Sequence, residues 1–212
     1  MTGAAAYLEG RSSAAADGSG ASLAPEPVGP LSGGDEAEPG LSEADFGTLC
    51  HQFVESRLSD QETVPEPRGA VARALARLST NAARRDLDEA LNLADRFIRS
   101  PRGLAAVAAR DAARAGLPGS VFEIEYPFVW SGPAVLSGSM DLVYSDAGKI
   151  TVIDFKTDKR AAPEQHAFQL SIYRDAAESI FGVPARAFVR YLRTGAEYEI
   201  AGIPDASGLG RR

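Results

Sequence analysis

Asp141-Leu142-Val143-Tyr144-Ser145-Asp146-Ala147-Gly148-Lys149-Ile150-Thr151-Val152-Ile153-Asp154-Phe155-Lys156 reads as two β-forming runs around a turn. The runs are rich in β-branched and aromatic residues, and Ala147-Gly148 between them is a turn signal, which together spell a hairpin. With Ala147-Gly148 as a two-residue loop, Asp146 faces Lys149. Counting outward from that pair sets Asp141 opposite Asp154 on one face, with Cβ atoms about 4.5 to 5.5 Å apart. Lys156 shares that face. The competing register has a three-residue loop with a bulge at Gly148, and a slip by one residue would send the two aspartates to opposite faces.

Two carboxylates held that close repel each other unless a cation sits between them. Oxygen ligands from two aspartates suit Mg²⁺ or Mn²⁺, which lowers the pKa of bound water and clamps a phosphate oxygen, while a lysine alongside orients the nucleophile or offsets developing charge. That is the chemistry of metal-assisted phosphodiester hydrolysis. The plainer reading makes Asp141 a strand-end residue satisfied by backbone donors and Asp154 with Lys156 a surface pair on an edge strand. Ile150, Val152, Ile153 and Phe155 argue instead for a buried central strand, where an unpaired charge is costly.

These residues resemble the Asp, then Asp-x-Lys signature of the PD-(D/E)XK nuclease superfamily, and within it the nuclease domain that ends the RecB and AddA helicase subunits. Gly138-Ser-Met-Asp141-Leu-Val is similar to that family's G-x-x-D-L-V strand. Val152-Ile-Asp154-Phe-Lys156-Thr157-Asp158 resembles its V-D-[YF]-K-T-D strand, and Gln169-Leu-Ser-Ile-Tyr173 its Q-L-x-x-Y helix. Upstream, Gly47-Thr-Leu-Cys-His51-Gln-Phe-Val-Glu55 looks like its G-T-x-x-H-x-x-L-E helix, and Glu125-Tyr-Pro-Phe128 its E-x-P-F strand. The five motifs occur in order over roughly residues 45 to 193. The resemblance implies that His51, Asp141, Asp154 and the backbone carbonyl of Phe155 coordinate the metal. It also implies that Asp141, Asp154 and Lys156 carry catalysis, Lys156 as the catalytic lysine, and that Gln169 and Tyr173 contact the substrate strand or brace the site. Glu125 is a possible accessory residue, and Glu123, of the same strand parity, could take its place. By pattern alone, His51 on the border of an apolar helical stripe could be merely packed, and Gln169 and Tyr173, one turn apart, could merely join helix to sheet.

Length and composition bound what surrounds this site. The chain has 212 residues, 44% of them apolar, enough for one domain of ordinary size plus some unstructured chain. Residues 1–41 are rich in Ala, Gly, Ser, Pro and Glu with no apolar period, and read as a disordered leader; 203–212 read as a flexible tail. Between them lies one nuclease domain, 42–202, mainly helical over 42–118 and holding the catalytic sheet and helix over 119–202. Neither a signal peptide nor a membrane span is written in the chain, so a cytoplasmic protein without a membrane partner is expected. No Gly-rich Lys-Ser/Thr phosphate loop occurs, so any motor is a separate subunit. Cys50 is the single cysteine, which excludes a disulfide, a zinc site and a four-cysteine iron-sulfur cluster within one chain.

The net charge of -7 is unevenly spread: residues 1–44 hold seven acids against Arg11, a balance of -6, leaving -1 for the rest. Residues 68–114 hold ten arginines against five acids, or +5, and are either a phosphate-facing surface or ordinary solvated helix faces.

Apolar periodicity and end signals predict helices over about 42–58, 68–80, 84–99 and 102–116, strands over 121–130, 135–144 and 150–156, a helix over 163–181 and a last strand over 185–192. An antiparallel meander followed by a helix and another strand fits a mixed sheet flanked by helices with a helical segment before it, the α/β restriction-endonuclease-like fold that the resemblance implies. The function implied is a metal-dependent DNA nuclease using Mg²⁺ or Mn²⁺. The resemblance further implies an exonuclease on single-stranded DNA ends fed by a separate helicase subunit of the UvrD/AddA type, in DNA repair and recombination. Two rivals stand beside it: a catalytically silent DNA-binding or complex-stabilising module descended from such a nuclease, and a site-specific restriction or junction-resolving enzyme.

Overall fold

The structure, a computed structural model, describes residues 38–59, 65–131, 135–200. The expected leader and tail lie almost wholly outside the described residues.

Helix α1 spans Glu43–Leu58 and starts where the sequence says: Ser42 is its N-cap, and its side chain accepts a hydrogen bond from the Asp45 N–H at 3.1 Å. Phe46, Leu49, Cys50, Phe53, Val54 and Leu58 are buried along one face. The next two boundaries differ from expectation. Helix α2 covers only Gly69–Leu75, because after Leu75 the chain closes into tight turns, with Arg77 and Leu78 N–H donating to carbonyls three residues back. Ser79 then caps α3, Thr80–Ile98, accepting from Ala82 N–H at 3.1 Å, so α3 begins four residues before the apolar period does. Helix α4 spans Pro101–Arg114, with proline in its first turn behind the N-cap Ser100.

Five strands follow in the spatial order β1-β2-β3-β4-β5: Phe122–Ser131, Val135–Asp146, Lys149–Lys156, Ala185–Tyr191 and Glu197–Glu199. The first three form the antiparallel meander, and β4 lies parallel to β3 after a crossover through a 3₁₀ turn, Pro163–His166, and helix α5, Ala167–Phe181. Gly182 ends α5 in the left-handed conformation at φ 69°. Among the described residues the fold is therefore α/β, a mixed five-stranded sheet flanked by five helices. Strand β5, three residues on the far edge, has no signal in the sequence strong enough to separate it from a loop.

The decisive hairpin has the two-residue loop. Ala147 and Gly148 both have positive φ, 50° and 77°, the type I′ geometry whose twist suits paired strands. Asp146 pairs with Lys149, and the register runs without slip to Leu142 opposite Ile153.

Each face of the sheet carries its own apolar cluster. Leu142, Tyr144, Ile153 and Phe155 pack with α1, α3 and α4, while Val143, Ile150, Val152 and Val189 pack under α5. Four arginines of the 68–114 stretch tie these layers together, Arg102 and Arg110 from less exposed positions and Arg96 and Arg114 from the surface: Arg96 donates to the carbonyls of Leu192 and Arg193, Arg102 to Glu197 at 2.7 Å, Arg110 to the carbonyl of Leu58 at 3.0 Å, and Arg114 to that of Ser59 at 3.1 Å. That stretch is thus not one phosphate-facing surface. Arg68, Arg73, Arg77, Arg84 and Arg99 are among those pointing to solvent.

Candidate metal centre

A strand that alternates regularly keeps residues of one parity on one face. β1 and β2 break that rule together. Phe122 and Ile124 pack against the helical cluster, yet Tyr126, Phe128 and Trp130 pack on the α5 side. In β2, Leu142 and Tyr144 belong to the first cluster and Met140 to the second. The reversal falls at Glu125, held at φ 50°, and Asp141, the one step omitted from the pairing between Ile124–Leu142 and Tyr126–Met140. Both carboxylates therefore leave the regular faces and reach the lip of the sheet.

Helix α1 supplies the third group. It approaches β3 closely at Gly47, where an added Cβ would meet Thr157 Oγ1 at 3.2 Å, and one turn later it sets His51 over Phe155. The imidazole stands edge-on to the Phe155 ring, centroids 6.1 Å apart, with Nε2 3.1 Å from the Phe155 carbonyl oxygen. Its Nδ1 faces Asp141 Oδ2 at 3.7 Å and Glu125 Oε1 at 4.0 Å. Ligand atoms of His51, Glu125 and Asp141 all lie within 4.8 Å of one another.

Asp141 does not pair with Asp154 through the ladder. It accepts the Phe155 N–H at 2.7 Å instead, in place of a strand-to-strand bond. Asp154 and Lys156, of the same parity as Ile150 and Val152, point to the α5 side. Asp154 is buried, at 2% exposure, with Oδ2 2.6 Å from Lys156 Nζ in an ion pair. The Gln169 amide lies 3.4 Å from Asp154 Oδ1 and donates to the Tyr173 hydroxyl at 2.6 Å, so Gln169 and Tyr173 sit against the carboxylate rather than only at a helix–sheet seam. Glu123 is exposed and pairs with Val143, which leaves Glu125 as the glutamate at the site.

The charges are mutually dependent. Burial, then the neighbouring charge of Asp154, pushes the Asp141 carboxyl up to about 6, partly offset by His51. Burial disfavours the imidazolium of His51, but Glu125, Asp141 and the Phe155 carbonyl outweigh it and raise the group. Contact with His51 in turn lowers Glu125. Burial likewise opposes the Lys156 ammonium, and the attraction of Asp154 outweighs it.

An imidazole, two carboxylates and a backbone carbonyl are a donor set for a divalent cation of oxygen-and-nitrogen preference. The raised Asp141, crowded by Glu125 with only a titratable imidazole beside it, is the mark of a site short of positive charge. The residues therefore fit such a cation. The triad that converges in the structure includes Glu125 where the sequence pattern put Asp154. Its signal was Glu125-Tyr-Pro-Phe128; what no pattern carried was the face reversal that aims it. The cleft in front of these groups, about 490 Å³, is lined by α1, Glu125, the end of β3 and Arg68.

A family model described as the PD-(D/E)XK nuclease superfamily matches residues 29–203. Among solved structures, the crystal structure of protein VC1899 from Vibrio cholerae is 15% identical, covering 71% of this chain and 42% of that one at a TM-score of 0.33. The crystal structure of SSO0001 is 20% identical, covering 76% and 79% at a TM-score of 0.30. At those scores neither likeness carries an argument, and the chain spans less than half the length of the Vibrio cholerae protein. No curated protein matches. No described helix is long and apolar enough to cross a membrane.

Proposed function

Because this chain belongs to the PD-(D/E)XK nuclease superfamily, we propose that it is a metal-dependent deoxyribonuclease, using Mg²⁺ or Mn²⁺ and acting as an exonuclease on single-stranded ends delivered by a separate helicase subunit in repair or recombination. The observation that supports hydrolysis is the convergence of His51, Glu125, Asp141 and the Phe155 carbonyl beside the Asp154–Lys156 pair.

In that reading His51, Asp141, Glu125 and the Phe155 carbonyl hold the cation, with Asp154 beside them through Oδ1, the oxygen not paired with Lys156. When bound, the cation supplies Lewis-acid activation of water and of a phosphate oxygen. The protein does the rest. Asp154 fixes Lys156 at the mouth of the site as an ammonium, where it orients the attacking water and offsets charge growing on the phosphate. Gln169 keeps the Asp154 carboxylate aimed, and Tyr173 anchors Gln169. The Phe155 N–H holds Asp141 through Oδ2, the oxygen that also faces His51 Nδ1, and so fixes the carboxylate toward the imidazole.

The test is cleavage of end-labelled single-stranded and duplex DNA by the full chain across a divalent-cation titration. Cleavage that needs Mg²⁺ or Mn²⁺, stops in EDTA and falls at least about 100-fold in Lys156→Ala supports the reading. Cleavage unaffected by Asp154→Ala and Lys156→Ala would sink it. DNA binding without cleavage, unchanged in EDTA, would instead favour a silent binding module.

A further inference from the structure

Resting on the nuclease reading for what occupies the cleft, we infer that Arg68 is a phosphate anchor, held in place by Gln52 and kept poised by Glu55 for the backbone phosphate next to the one under attack. The reason lies along α1. His51, Gln52 and Glu55 lie on neighbouring positions of that helix, and all three line the cleft that also holds Glu125, Phe155 and Lys156. His51 faces the metal centre, and the next residue does something unusual. The Gln52 side chain bonds the backbone of Arg68 twice, accepting its N–H at Oε1, 2.9 Å, and donating from Nε2 to its carbonyl, 3.3 Å. One amide thus replaces the strand-like pairing that an extended residue would otherwise need, and it fastens Arg68, at φ -120° and ψ 157°, to the helix that carries the imidazole.

The guanidinium is left in the cleft. Its NH2 lies 2.8 Å from Glu55 Oε2, with 65% of the side chain exposed against 36% for the glutamate. An ion pair that exposed contributes little to stability, so stability does not account for a backbone clamp devoted to it. The cleft's own charge does. Its lining carries the acids Glu43, Glu55, Glu125 and Asp158, and a polyanion entering it needs cations. Of the two permanent cations in that lining, Lys156 is paired with buried Asp154 and serves the phosphate under attack. Arg68 is the other, and a planar guanidinium binds phosphate oxygens in pairs. Glu55 holds it in a weak pair that a phosphate displaces. The other outward arginines do not share this position: Arg84, for example, pairs with Asp88 along α3 with 81% of its side chain exposed, outside the cleft.

Binding of a fluorescein-labelled oligothymidylate, followed by anisotropy in EDTA and in Ca²⁺ over a range of salt, tests this without requiring cleavage. Arg68→Ala is expected to weaken binding about tenfold and to lower the salt slope by about 0.7, the share of one phosphate contact on a single strand. Gln52→Leu should give part of that loss, while Arg84→Ala, the same charge change elsewhere, leaves the affinity within twofold. Glu55→Gln should tighten binding severalfold, and that gain should vanish in an Arg68→Ala background. Equal losses from Arg68→Ala and Arg84→Ala, or a Glu55→Gln gain that persists without Arg68, would show diffuse electrostatics and overturn the anchor. Absence of wild-type binding in both conditions also overturns it. Arg68-dependent binding with no metal-dependent cleavage would keep the anchor and sink the nuclease reading.

Discussion

Asp141 serves two opposed ends. Its carboxylate is buried against Asp154 and Glu125 so that a cation is strongly wanted, and without one the same charges work against the fold. The sign follows from the direction of the shift. An acid raised from its ordinary value near 3.9 to about 6 destabilises the folded state fully above about pH 6, and the effect disappears below about pH 4. His51 acts in the same direction: raised by its acidic neighbours, it stabilises at low pH and that contribution fades as pH rises through its folded value. In EDTA, Asp141→Asn, which keeps an oxygen for the Phe155 N–H, should be more stable than the wild type at pH 8 by on the order of 2 kcal/mol. The advantage should shrink to nothing near pH 4. Thermal unfolding of both proteins at the two pH values checks it. A less stable Asp141→Asn at pH 8 would mean that the carboxylate is held by contacts other than those described.

At the scale of elements, the corner between α3 and α4 sets where the helical layer sits on the sheet. Gly103 lies in the first turn of α4, its N–H bonded to Ser100 Oγ at 3.2 Å, and a Cβ there would stand 2.1 Å from the Phe97 carbonyl oxygen. Nothing flexible can yield, because the obstruction is backbone. Phe97 itself packs on Phe155 with ring centroids 4.8 Å apart, so the corner and the candidate metal centre share a wall. Gly103→Ala should cost about 3 kcal/mol, at the upper end for overpacking, and lower Tm by roughly 6 to 12 °C. Differential scanning calorimetry measures it. An unchanged Tm would mean that α4 can shift without loss. α4 is also tied to the far edge of the sheet, since Arg102 bonds Glu197 of β5 and lies over the Phe188 ring at 4.1 Å.

Over the whole molecule, the candidate metal centre joins α1, β1, β2 and β3, so a cation that bound there would bind only the assembled fold. Cys50 reports on this. It has no exposure in the native protein, and burial pushes its thiol up to about 12. Alkylation by iodoacetamide at pH 8 therefore requires opening of the fold. A cation at about 100 times its Kd should slow that reaction about 100-fold through its 2.7 kcal/mol of linkage, and EDTA should restore the rate. Equal rates with and without Mn²⁺ would rule out a native-state cation site coupled to these elements.

Much was legible in the chain. Ser42 wrote the start of α1, Ala147-Gly148 wrote the turn, and the hairpin register followed from counting, because these depend on interactions within a few residues. The α/β class was legible too, and motif order singled out His51, Asp141, Asp154, Phe155, Lys156, Gln169 and Tyr173 as candidates, with Glu125 as an accessory. Three things were not. Glu125 and Asp141 leave their faces through a paired reversal of two strands, and a positive φ at a glutamate has no sequence mark. The arginines of 68–114 divide between ties across the layers and solvent faces according to which carbonyls and carboxylates the folded layers bring near them. Gln52 meets Arg68 across sixteen positions, and only packing decides that an amide on one helix closes on the backbone of a distant residue. Local sequence sets the elements because their forces are local; the site's charges and its clamp are long-range, and they exist only once the layers are stacked.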